Sequence, residues 1–166
     1  MPPNGRLLSR SEAKKGEYAV AQWKNILFLV WCTRAERGNV KSARAFTEPL
    51  RREHAKFSVI HILEDTAGLP STDGRDELVA VIRENTDRFA CVGALLSESV
   101  VMASLLRAFV RGVRTLTRGE LEVMIEHDVK LLVDALAPLH SKRSGVRVGP
   151  SELAEAIAEA RKLPQL

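Results

Sequence analysis

Only 5% of the 166 residues are aromatic, cysteine occurs twice, and no apolar run approaches the length of a bilayer. Each shortage excludes something. Few aromatic rings leave little to stack on bases. Without any recognised nucleic-acid motif, and with a formal charge of only +4, a nucleic-acid partner is not expected. The longest apolar run, residues 26–32, falls far short of the roughly 20 residues a spanning helix needs, so no transmembrane segment is expected. Cys32 and Cys91 form no Cys-x-x-Cys motif and no secretory leader precedes them, so the reading is a reducing, cytoplasmic compartment.

Catalytic signatures are scarce as well. His54, His61, His127 and His140 are scattered without a His-x-x-x-His or Cys-His grouping, so neither metal nor cofactor is expected. There is no Gly-x-Ser-x-Gly elbow and no phosphate-cradling glycine loop. His61 lies inside an apolar run and reads as a core histidine, and Cys91 reads as a small hydrophobe. Glu64 and Asp65 are adjacent carboxylates at the end of that run, where open α/β sheets place ligands. They are the only candidates for acid–base work or for lining a ligand pocket. The chain is therefore read as non-enzymatic.

What is present is enough apolar residue, 45%, to build one core. Residues 1–15 carry Pro, Gly, Lys and Arg without periodicity and read as a flexible leader. Residues 17–23 and 26–32 are strand-like runs parted by Lys24 and Asn25, which suits a hairpin. Asn39 is placed to cap a helix carrying Val40, Ala43, Phe46 and Leu50, which Pro49 should kink or split. Residues 57–63 are β-branched and apolar, the pattern of a strand covered on both faces. Residues 89–96 form another such strand, and Ser97 can cap a helix from 98 to 116 with Val101, Leu105, Phe109 and Val113 inward. Leu121, Val123 and Ile125 alternate with Glu122, Met124 and Glu126, the pattern of a half-exposed strand, and Asp128 caps a helix ending near Pro138. Residues 141–149 read as a linker, and residues 150–166 as a tethered C-terminal helix.

The expected fold class is α/β: a mixed, mostly parallel sheet opened by a β-hairpin, in the order ββαβαβαβα, with an added C-terminal helix.

Between the 57–63 strand and the next helix lies Pro70-Ser71-Thr72-Asp73-Gly74. Ser71, Thr72 and Asp73 can each cap the helix by accepting from its free N–H groups. The same hydroxyls sit at the positive end of a helix dipole, where a phosphate is favoured. Both uses fit the residues.

With its opening hairpin, its element order and the 122–136 segment ending Asp134-Ala135-Leu136, the chain resembles the STAS family of anti-sigma-factor antagonists over residues 17–139. The resemblance implies a bacterial signalling module with a partner of the kinase or sigma-regulatory type. Thr72 falls at the family's phosphorylated hydroxyl, with Ser71 beside it and Asp73 and Gly74 completing the partner-binding junction. Pro70 stands where the family carries an aspartate, and Asp73 intrudes before the glycine.

Arg107, Arg111, Arg114 and Arg118 recur at helical spacing and read either as a docking stripe for an anionic partner or as a solvated face. The expected function is partner-protein binding at residues 71–74 under phosphorylation control. The alternatives are a small-ligand or lipid-binding module with a pocket between sheet and helices near Glu64 and Asp65, or a scaffold that self-associates, as a homodimer, through the hairpin edge or the final helix.

Overall fold

The computed structural model describes residues 7–97 and 100–166, without the side chains of 100–103 and 105. The start expected at Glu98 and the inward positions Val101 and Leu105 lie outside what is described. Among the described residues six strands form one sheet in sequential order: β1 (Arg10–Lys14), β2 (Tyr18–Trp23), β3 (Ile26–Trp31), β4 (Phe57–Leu63), β5 (Phe89–Leu96) and β6 (Val123–Glu126). β1, β2 and β3 are antiparallel neighbours, and β3 to β6 run parallel. The fold is therefore the mixed α/β sheet expected, opened by the β2–β3 hairpin across Lys24 and Asn25.

The parallel strands are joined by α1 (Arg37–Ala45) and α2 (Thr47–Glu53), α3 (Thr72–Asn85) and α4 (Val100–Leu116). Right-handed crossovers that advance in one direction along a sheet place all these helices on one face. Accordingly Val40, Ala43, Phe46 and Leu50 share one core with Leu27, Leu29, Phe57 and Val59. The opposite face packs on α5 (Val129–Ser144) and α6 (Pro150–Lys162), whose Leu132, Leu136, Leu153 and Ile157 meet Ile26, Phe28, Ile60 and Ile62. The alternation along β3 and β4 serves both layers, which is why neither strand shows a polar face.

Four expectations change. Residues 10–14 are not part of a flexible leader. They pair with β2 and cover the hairpin edge, leaving an outer strand whose Glu12 and Lys14 are exposed. Pro49 does split the early helix, because it is tolerated in the first turn of α2, but α1 is preceded by Glu36, and Asn39 lies inside it. α5 does not end near Pro138. It runs to Ser144 because buried Ala137 and His140 hold the turn in place at the cost of one backbone bond, and Gly145 stops it in the left-handed region at φ 74°. The expected linker is thereby reduced to a short connection, and α6 is an integral layer of the core.

Candidate functional site

The 71–74 junction is built chiefly as a helix start. The Ser71 hydroxyl accepts from the Gly74 N–H at 3.0 Å and donates to the Ala35 carbonyl at 3.2 Å, and the Ser71 N–H donates to the same carbonyl at 3.1 Å. Gly74 is buried against that carbonyl so closely that a Cβ would lie 2.0 Å from its oxygen. Thr72 and Asp73, by contrast, are exposed in the first turn of α3. The four residues are contiguous, yet only Thr72 presents a free-standing hydroxyl at the surface.

Glu64 and Asp65 part company. Glu64 accepts two bonds from Arg161, at 2.7 and 2.9 Å, which fasten the end of α6 to the end of β4. Asp65 is exposed. Both line a polar crevice of about 210 Å³ with Ser97, His127 and Arg161 at the carboxyl ends of the strands. The arginine stripe runs along α4 and past its end. Arg107 and Arg111 are exposed on α4, and Arg114 donates to the Val123 carbonyl at 2.9 Å. Arg118 lies beyond the helix at φ 53°, because α4 ends at Leu116.

A chamber of about 480 Å³ lies between the sheet and α1, α3 and α4. Its size falls within the range of small-molecule sites. Leu29, Val59 and Val92 contribute to its floor, and Leu78, Val81 and Phe109, all half-buried, to its walls. Gly68, Leu69 and Pro70 carry the lining to the 71–74 junction. The wall residue Arg44 is engaged with Glu77 and Glu84 of α3. On the floor, among the described residues, one ionisable side chain stands on a strand, His61.

Its environment determines its chemistry. The Trp31 indole N–H donates to His61 Nδ1 at 3.2 Å. An indole nitrogen can only donate, so Nδ1 carries no proton. Burial lowers the His61 pKa to about 4, so at neutral pH the ring is uncharged with its proton on Nε2. Reading this residue as a satisfied core histidine named no partner and missed the open donor. Strand alternation could have signalled it, since residue 61 shares a face with Phe57 and Val59 and interrupts their apolar row.

On the other sheet face, Asn25, Ser58, Cys91 and His140 form a sealed polar chain, all with 0% exposure. Asn25 Oδ1 can only accept, so His140 Nε2–H donates to it at 2.9 Å. The Ser58 hydroxyl then donates to Nδ1 at 2.7 Å, and the Cys91 thiol faces the Ser58 oxygen at 3.1 Å. Burial pushes the Cys91 thiol up to about 11 and the His140 ring down to about 4. These residue types recur in nucleophilic catalysis, but here they have no access to substrate.

Fold and chamber together define an α/β protein with an apolar enclosure on one sheet face. Comparison with protein-family models, curated proteins and solved structures finds no match to the chain. Among the described residues no helix is long and apolar enough to cross a membrane, and no group of three or more His, Cys, Asp or Glu side chains is placed to hold a metal.

Proposed function

We propose that this chain is a non-catalytic binding module that encloses a small, largely apolar molecule between its sheet and α1, α3 and α4. The observation that carries the reading is the 480 Å³ chamber itself, whose lining is dominated by Leu, Val, Phe and Ala side chains. Burying roughly 200 Å² of ligand surface at about 25 cal/mol per Å² yields about 5 kcal/mol before association costs, which limits the affinity from this apolar contact alone to a dissociation constant of about 0.2 mM. Among the described residues the floor supplies one unpaired polar donor, and the Nδ1 lone pair of His61 is taken by Trp31, which favours binding over chemistry. The chamber's lining reaches Leu63, the residue before Glu64, but Glu64 and Asp65, near which a pocket was expected, line the smaller crevice instead.

The test is titration with N-phenylnaphthylamine, a neutral dye that brightens in apolar surroundings. Saturable one-to-one binding is expected, and Val81→Trp, which places an indole in the chamber, abolishes it while leaving the circular dichroism unchanged. Dye binding that never saturates, or that Val81→Trp leaves intact, removes the reading.

The order of β2 to β6 and their helices favours keeping the chain beside STAS modules, and the same reading places it in the cytoplasm, where free Cys32 and Cys91 would stay reduced. A second reading, partner docking at the junction under phosphorylation control, is favoured by exposed Thr72 and Asp73 next to Leu69, which is 42% exposed. Phosphopeptide mapping of protein from its native host decides it. Phosphate on Thr72 supports it, and unmodified Thr72 under all growth conditions refutes the control.

A further inference from the structure

The geometry points to a neutral carbonyl compound as the occupant of the chamber, its oxygen accepting a hydrogen bond from His61 Nε2–H. This rests on the chamber being a ligand site and adds the chemical class it takes. The Trp31 bond fixes the tautomer: with Nδ1 occupied by the indole N–H at 3.2 Å, the ring has one proton left to offer, on Nε2. Among the described residues Nε2 has no protein acceptor, and His61 retains accessible surface on the chamber side. A donor in an apolar enclosure gains most from an acceptor brought by the ligand, since an unpaired polar group there is costly.

The charge of the occupant follows from what surrounds that donor. Among the described residues no cationic side chain stands on the strand floor. On the walls, Arg44 is held by Glu77 and Glu84, and Thr47 donates its hydroxyl to the Arg44 carbonyl at 2.7 Å. Arg75 also lines the chamber but is exposed, at the first turns of α3 rather than on the floor. A carboxylate seated at His61 would be desolvated without a paired charge. A ketone, ester or amide oxygen needs only the single hydrogen bond the floor can give.

Three probes of nearly equal shape separate the possibilities: benzylacetone with a ketone, butylbenzene with a methylene in its place, and hydrocinnamate with a carboxylate. Displacement of N-phenylnaphthylamine is measured on the full chain and on His61→Phe. The expected result is that His61→Phe weakens benzylacetone roughly fivefold and leaves butylbenzene within about twofold, the size of one net hydrogen bond. Hydrocinnamate binds the wild-type chain more weakly than benzylacetone. If benzylacetone and butylbenzene respond alike to the substitution, or hydrocinnamate binds tightest, the inference fails while the chamber stands as a ligand site. If no probe displaces the dye and Val81→Trp is without effect, both readings fail. Nitrogen NMR of the wild-type ring keeps the test independent of the variant's folding. The spectrum should show protonated Nε2 and bare Nδ1, with Nε2 shifting on addition of benzylacetone and not of butylbenzene; the opposite tautomer overturns the inference.

Discussion

His140 shows how much a single side chain can hold in place. Its ring bridges Asn25, just before β3, and Ser58 in β4, and Asn25 in turn donates to the Lys56 carbonyl at 3.0 Å. Removing the ring strands two buried groups, so His140→Leu should cost about 2–4 kcal/mol in urea denaturation at neutral pH. The same residue makes stability depend on acid. Its folded pKa, about 4, lies below the ordinary 6.5, so the unfolded chain binds the proton first. Stability is full above the unfolded value, falls as the pH drops through that window, and stops falling near the folded value. The slope is about 1.4 kcal/mol per pH unit for each such group. His61 contributes in the same direction through its own lowered pKa. His140→Leu should therefore lose roughly half of the wild-type pH slope between about pH 6 and about pH 5. An unchanged slope would mean that His140 does not titrate with unfolding.

At the scale of elements, α3 depends on the contact between its first turn and the loop after β3. Ser71→Ala removes the cap and should cost about 1 kcal/mol. Gly74→Ala meets the Ala35 carbonyl oxygen at 2.0 Å, a backbone atom that cannot swing aside, so the helix start must move. The expected loss is about 2–4 kcal/mol, larger than that of Ser71→Ala although the side chain added is only a methyl. Thermal denaturation of the two variants side by side checks the order. This helix start was legible in the sequence because a cap acts within four residues, and so were β2 to β5, whose apolar runs have lengths and punctuation that only strands satisfy. β1 was not, since an outer strand held by backbone bonds needs no apolar row, and Ser11, Glu12 and Lys14 point to water. The end of α5 was misread because Pro138 is a local signal, whereas the burial of His140 that overrides it depends on Asn25, 115 residues away. The chamber was illegible for a related reason. It is the gap between a sheet and helices whose apolar residues, Leu78, Val81 and Phe109, look in sequence like any core stripe.

For the molecule as a whole, the two faces of the sheet are unequal. The α5–α6 face is closely filled: Ala19 and Ala21 of β2 and Ala156 and Ala160 of α6 are buried, their small side chains allowing strand and helix to approach. The opposite face carries the chamber beside its own core of Val40, Leu50, Phe57 and Val59, so the closely filled side is expected to supply much of the stability that tolerates a chamber. Truncation after residue 149 removes α6 and uncovers Trp23, Phe28 and Ile26, all at 5% exposure or less in the intact chain. Large apolar side chains uncovered in this way forfeit about 1.5–3 kcal/mol each, and several together exceed the margin of a small domain. The truncated chain should lose its cooperative thermal transition. Arg161→Ala is the control. It releases the bond to Glu64 at a partly exposed site and should cost only about 1 kcal/mol, leaving the transition sharp. If the truncated chain melted as cooperatively as the intact one, α6 would be an accessory and the filled face would not be what supports the chamber.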